Sequence, residues 1–216
     1  MIPTHVPPDT LRQDFGEVNC SKPYSASALN ISAMSYGSLS KNAVMALNRG
    51  AKMGSFFQNT GEGGLTDYHR KYKGDIVWQI GTGYFGCRDD LGHFEPDLFT
   101  EKAREDQVKM IEVKISQGAK PGHGGILPAA KVTEEIARIR HVKIGEDVIS
   151  PPHHTAFSNP EGLLKFVKQL REMSGGKPVG FKLCLGRKHE FLGICKAMLD
   201  TGITPDFITV DGGEGG

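Results

Sequence analysis

A chain of 216 residues with a formal net charge of +1 is long enough for one substantial core, and it lacks the charge excess that grips nucleic acid or an anionic membrane. It shows no apolar run of membrane-spanning length, and MIPTHVPPDT at the start has neither the basic nor the apolar region of a signal peptide. Cys20, Cys87, Cys184 and Cys195 lack C-x-x-C spacing, so they read as free thiols in a reducing, cytoplasmic compartment, with no metal site expected.

Residues 1–27, rich in Pro, Asp and Ser, read as an N-terminal extension on the outside of a domain spanning 28–216. Leu29–Met34 reads as a first strand. It is followed by SYGS and a helix capped by Ser38 or Ser40, with Val44 and Leu47 on one face, ending near Gly54. Ser55–Asn59 is a second strand opening into TGEGG. Asp75–Gly81 is a third, apolar enough to be buried on both faces. A helix is expected from Asp97 to about Val113 and a fourth strand at Lys114–Ala119. A helix at Lys131–Arg140 and a short apolar stretch at Asp147–Ser150 come next. Ser158-Asn-Pro-Glu161 has a capping-box pattern that starts another helix. Pro178–Leu185 is a fifth strand, Lys188–Thr201 a helix stopped by Gly202, and Phe207–Asp211 a sixth strand.

Strands alternating with helices of crossover length predict a parallel α/β sheet. An open doubly wound sheet and a (β/α)8 barrel both fit that alternation. The 28 glycines favour the barrel, because they cluster after nearly every strand, and a site built from many strand ends is a barrel trait. A full barrel needs about eight strand–helix units, so about six point to an incomplete TIM barrel lacking its last two strands. The segment KISQGAKPGHGGILP (114–128) stands out. Lys114 and Lys120, six apart, would face one side of a sheet if both lay on the strand, and the glycines after them let backbone approach a ligand.

The segments MSYGSLS, NTGEGG, QGAKPGHGG, ILPAAKV, ISPPHH and VDGGEGG, in this order, resemble the FMN-binding barrel domain of glutamate synthases, most closely the stand-alone FMN-binding glutamate synthase family. The resemblance covers about residues 28–216. It implies an FMN-dependent oxidoreductase in which reduced flavin passes a hydride to an imino or keto acid such as 2-iminoglutarate, in glutamate biosynthesis. A separate electron donor, a ferredoxin or an NAD(P)H reductase, is implied as partner.

On that resemblance, Met34, Ser35, Gly37, Asn59, Thr60, Gln79 and Lys182 are cofactor-binding residues, and Gly212 and Gly213 begin a phosphate cradle. Gln79 can offer both donor and acceptor to the flavin's pyrimidine edge. Lys182, amid apolar neighbours, is placed to stabilise negative charge on reduced flavin, with a snorkelling, carboxylate-paired lysine as the alternative. Lys120 and Glu62 carry over as the catalytic residues that hold the substrate. Lys120 supplies the cation that a dicarboxylate needs, and Glu62 alternatively accepts bonds from glycine amides. Lys114 is divided between a site role and a structural ion pair. His153 and His154 read first as loop histidines satisfying backbone groups, then as flavin or substrate contacts, and last as metal ligands. His123 is a candidate proton donor.

The chain departs from the synthases after AKPG, where they carry Glu-Gly-Gly-Gln and this sequence has His123-Gly-Gly-Ile126. An amide contact to the substrate is thereby replaced by an aliphatic side chain. The cluster cysteines and the glutaminase domain of the synthases have no counterpart here. Two other readings are a lysine-dependent aldolase or isomerase, with Lys120 or Lys182 forming a Schiff base, and an inactive barrel fragment. Without the last strands, FMN is expected to be held poorly.

Overall fold

The computed structural model describes residues 11–215. Two short antiparallel strands, β1 (Arg12–Phe15) and β2 (Tyr24–Ser27), form an N-terminal hairpin. The main sheet has the order β3 (Gln58–Asn59), β4 (Ile76–Ile80), β5 (Val108–Lys114), β8 (Val179–Cys184), β9 (Ile208–Asp211), and every neighbouring pair is parallel. Between β5 and β8 the chain makes a separate antiparallel pair, β6 (Ile126–Leu127) with β7 (Val148–Ile149). The expected first strand contributes one bridge only: Ile31 bonds to Phe57 and Asn59 on the outer side of β3. The result is an α/β protein whose parallel sheet curls into a half-barrel. Among the described residues no helix is long and apolar enough to cross a membrane.

The helices follow from caps and apolar spacing. The Ser40 side chain accepts from Ala43 N to start α1 (Lys41–Gly54), which ends at Ser55 in the left-handed region. Thr66 caps the single-turn α2 (Asp67–Arg70), and Pro96 opens α3 (Pro96–Ala103). Thr133 caps α4 (Glu134–Arg140). Asn159, rather than the expected Ser158, caps α5 (Pro160–Met173) by accepting from Gly162 N. Gly202, at φ 67°, stops α6 (Lys188–Thr201).

Side chains alternate across the sheet. Trp78, Ile80, Ile111, Val113, Phe181 and Leu183 point outward into one core with Phe99 of α3 and Leu163, Phe166 and Leu170 of α5. Burying each such side chain contributes about 1.5–3 kcal/mol. The alternate residues point into the concave side. At its lower end the N-terminal hairpin packs Tyr24 and Ala26 on Val77 and Met110, so it lines the inside of the half-barrel rather than its exterior.

One boundary departs from expectation with consequences for the site. The helix expected through Val113 ends at Ala103, and the strand expected at 114–119 runs from Val108 to Lys114. The segment VKMIEVK is buried on both faces, and that tertiary setting overrides the helical propensity of its Lys, Met and Glu. Lys114 therefore ends the strand and Lys120 lies beyond it on an exposed loop, so strand parity does not relate the two lysines.

Candidate functional site

A cleft of about 230 Å³ opens at the C-terminal ends of the parallel strands, where parallel α/β folds place their sites. Met34, Ser35, Glu62, Gln79, Lys120 and Lys182 all line it, as do Lys114, Gln117, Ile126 and Arg140. The other proposed residues do not. Asn59 lines an adjoining cavity of about 390 Å³ with Glu112 and Lys182, Thr60 is fully buried, Gly37 packs on Arg140, and Gly212 and Gly213 stand at the rim beside Gly118.

The strands fix the floor. Gln79 of β4 is paired in register with Glu112 of β5, and Lys114 of β5 with Lys182 of β8, so all four side chains share the concave face. Lys182 Nζ is 3.3 Å from Asp211 Oδ1, and Asp211 Oδ2 accepts from Gly118 N at 2.9 Å. The carboxylate-paired alternative for Lys182 thus describes its contact, while the side chain still lines the cleft. Lys114 Nζ lies 3.5 Å from Glu62 Oε1 and donates to Gln117 Oε1 at 2.7 Å, so it is at once an ion-pair member and a wall residue.

Beneath the floor, Glu112 accepts from Asn59 Nδ2 (2.8 Å), Gln79 Nε2 (2.7 Å) and Thr209 Oγ1 (2.6 Å). Thr60 Oγ1 accepts from Gln79 N and donates to Gly61 O. Asn59 and Thr60 therefore brace the residues that line the cleft. Two glycines allow the close approach of backbones here. Gly61 has φ 66°, and a side-chain carbon on it would come within 2.6 Å of Ser35 N; one on Gly118 would collide with the Gly212 carbonyl oxygen.

Arg140, on α4, reaches in from the side. It is buried, donates to Tyr36 O at 2.9 Å, and leaves Nε without a partner among the described residues. Burial lowers its pKa and Glu62 partly restores it. The ionic side chains lining the cleft are thus four cations, Lys114, Lys120, Lys182 and Arg140, and one carboxylate, Glu62. The arrangement suits an anionic ligand.

His154 does not line this cleft. It is buried, with Nε2 2.8 Å from Lys114 O and Nδ1 3.0 Å from the Tyr84 hydroxyl, and burial lowers its pKa to about 4. It clasps the end of β5 as a neutral ring, satisfying a backbone group. His153 is exposed and lines a separate groove with Phe157 and Glu190; His123 is exposed beside Gly124. Among the described residues no cluster of three or more His, Cys, Asp or Glu is arranged to hold a metal ion.

Sequence reasoning missed Glu112, Gln117, Arg140, Thr209 and the pairing role of Asp211. Glu112 lies in the stretch expected to be helical. Its signal was alternation within VKMIEVK, where Met110, Glu112 and Lys114 share one face. Arg140 left only a faint trace, as a helix-terminal arginine.

Two residues at strand ends of this cleft could hold the pyrimidine edge of a flavin: Gln79, whose carbonyl oxygen has no partner among the described residues, and Lys182, a cation. Comparison with known proteins gives the family. The family model described as the conserved region in glutamate synthase matches residues 13–216. The glutamate synthase large subunit-like protein YerD of Bacillus subtilis (strain 168) is 46% identical over 216 residues, 99% of this chain and 41% of that protein. The archaeal-type glutamate synthase (NADPH) of Thermotoga neapolitana is 40% identical over 187 residues, and the archaeal glutamate synthase (NADPH) of Methanocaldococcus jannaschii 37% over 188; each match covers 33% of the relative. The chain spans about two-fifths to a third of the length of these relatives. It belongs to the glutamate synthase conserved-region family.

Proposed function

We propose that this chain forms part of an FMN-binding (β/α)8 barrel that reduces an imino or keto acid of the 2-iminoglutarate kind, and so takes part in glutamate synthesis. The observation that carries the reading is the cleft itself: a flavin-type edge made by Gln79 and Lys182 adjoins a cationic wall made by Lys114, Lys120 and Arg140. When bound, reduced FMN would supply the hydride. Gln79 holds the pyrimidine edge, and Lys182 offsets negative charge there. Met34 and Ser35 line the ring's side of the cleft. Gly212 and Gly213, at the rim, open the phosphate cradle. Lys120 and Arg140, both in the cleft wall, hold substrate carboxylates. Glu62, held by Lys114, faces the same space and orients a cationic nitrogen. Electrons come from a separate donor, a ferredoxin or an NAD(P)H reductase; the NADPH in the names of the archaeal-type relatives favours the second.

The test is a titration of the purified chain with FMN, followed by flavin fluorescence, then 2-oxoglutarate and ammonia with chemically reduced flavin and glutamate assayed. Weak but saturable binding, further weakened by Lys182→Met, is expected. A folded chain with no saturable binding sinks the reading. The aldolase reading is weaker on one observation. An imine-forming lysine needs an unengaged, desolvated amine, whereas Lys182 is paired with Asp211 and Lys120 is exposed. Borohydride trapping of a keto acid on either lysine would reverse that preference.

A further inference from the structure

We propose that Glu112 is a positioning residue that locks the Gln79 side-chain amide with its carbonyl oxygen toward the cleft, so that the site selects a ligand presenting an N–H edge. Naming that ligand as a flavin pyrimidine rests on the flavin reading above; the orientation of the amide does not.

The hydrogen-bond network forces the orientation. An ionised carboxylate only accepts hydrogen bonds, and all three partners of Glu112 are donors. Asn59 is fixed from its other end, because its Oδ1 accepts from Gly61 N at 3.0 Å, which leaves only Nδ2 for Glu112. Gln79 is fixed by Glu112 itself, since turning the amide over would set carbonyl oxygen against carboxylate oxygen. Its Oε1 then has no protein partner among the described residues and belongs to a side chain lining the cleft. One of its two N–H donors is taken, so Gln79 is chiefly an acceptor there rather than an even-handed donor and acceptor.

The same network explains why a carboxylate stands at this position. Glu112 is only 3% exposed, and no Lys, Arg or His lies within ion-pair distance of it among the described residues. Lys182 is paired with Asp211 and Lys114 with Glu62. A buried carboxylate held by neutral donors alone is costly to desolvate. What it supplies that an apolar residue or an amide would not is an acceptor with one sense. A glutamine here can meet Gln79 with either N–H or C=O, so the floor loses its fixed polarity. A site built around one hydrogen-bond sense discriminates strongly against ligands of the opposite sense.

The test uses the full chain labelled with ¹⁵N and no ligand. The Gln79 side-chain NH₂ signals, assigned by their loss in Gln79→Glu, should move in Glu112→Gln and stay put in the exposed control Glu161→Gln. Unmoved signals in Glu112→Gln overturn the proposal. If Glu112→Gln fails to fold, Glu112→Asp retracts the carboxylate by one methylene and must move the same signals; unmoved signals there overturn the proposal equally. An FMN titration adds a readout that a merely structural role would not give. Glu112→Gln should weaken FMN by about ten-fold in the parent background, and have no further effect in Gln79→Ala. Equal losses in both backgrounds overturn the proposal. Moved amide signals in a chain that binds no FMN support the locked amide and count against the flavin reading alone.

Discussion

The two faces of the one parallel sheet are built from the same strands and do opposite work. On β8, Phe181 and Leu183 point outward into the helices, while Lys182 between them points into the half-barrel. On β4, Trp78 and Ile80 go outward and Gln79 inward. The outer face is apolar and interlocks with α3 and α5. Toward the strand ends the inner face carries Asn59 and Gln79 hydrogen-bonded to Glu112, Lys114 paired with Glu62, and Lys182 paired with Asp211. Desolvating those groups roughly cancels what their mutual contacts return. The outer face therefore carries most of the stability, and the inner face holds the polar groups that line the cleft.

Breaking the outer face should give the largest effect. Phe181→Ala empties a fully buried site against α5 and should cost about 3–5 kcal/mol, read from the urea midpoint at unchanged slope. A loss no larger than that of an exposed substitution would remove the division of labour between the faces.

The next effect depends on pH and lies where the two faces meet. His154 joins Lys114 on the inner side to Tyr84 in the outer core, and burial lowers its pKa from 6.5 to about 4. Between those values the unfolded chain binds a proton that the folded chain refuses, so stability is fully present above pH 6.5 and declines as pH falls toward 4. The loss is on the order of 3 kcal/mol. His69, buried and lowered to about 3, adds to it in the same direction. Urea midpoints at neutral and acid pH should therefore converge partly in His154→Gln, leaving the share due to His69. An unchanged pH slope would mean that the ring is not held neutral.

At the cleft rim the same logic predicts a variant with function lost and stability kept. Lys120 is exposed, and its side chain makes no hydrogen bond or ion pair among the described residues. Lys120→Met should leave the unfolding free energy within about 0.5 kcal/mol of the parent and weaken 2-oxoglutarate by about ten-fold, the loss expected of one charge-assisted contact. Unchanged affinity for the keto acid would remove Lys120 from the site.

The parallel sheet and the position of the cleft at its strand ends were legible from the alternation of apolar runs with glycine-rich turns. Six residues that the resemblance singled out, Met34, Ser35, Glu62, Gln79, Lys120 and Lys182, line that cleft. What failed was local. Lys109, Met110 and Glu112 are good helix formers placed just after a helix, and nothing in their composition announces that both faces of the segment become buried. That shift of boundary hid Glu112 and made Lys114 the start of a strand that it in fact ends. Arg140 was hidden for another reason: a helix-terminal arginine reads as solvent-facing until tertiary packing turns α4 toward the cleft. Asn59 lines an adjoining cavity and holds Glu112, and buried Thr60 holds Gln79 N; sequence order alone does not announce those bracing contacts.

The smallest expected effect concerns Ile126, the aliphatic residue where the synthases carry glutamine. It lines the cleft, is 60% exposed, and sits opposite Ile149 across the β6–β7 pair. Exchanging one partner of such a cross-strand pair costs only about 0.2–1 kcal/mol. Ile126→Gln should therefore keep the fold, and the new amide can donate to a substrate carboxylate. One neutral hydrogen bond is worth about 1 kcal/mol net, so 2-oxoglutarate affinity should rise by roughly five-fold. The same substitution should weaken keto acids with an apolar chain by a similar factor, because the aliphatic contact is gone. The pair of measurements separates two cases. A gain for 2-oxoglutarate with a loss for apolar keto acids makes residue 126 the point where the inner face sets substrate choice. Equal responses from both acids would place that choice elsewhere, on the cations of the wall.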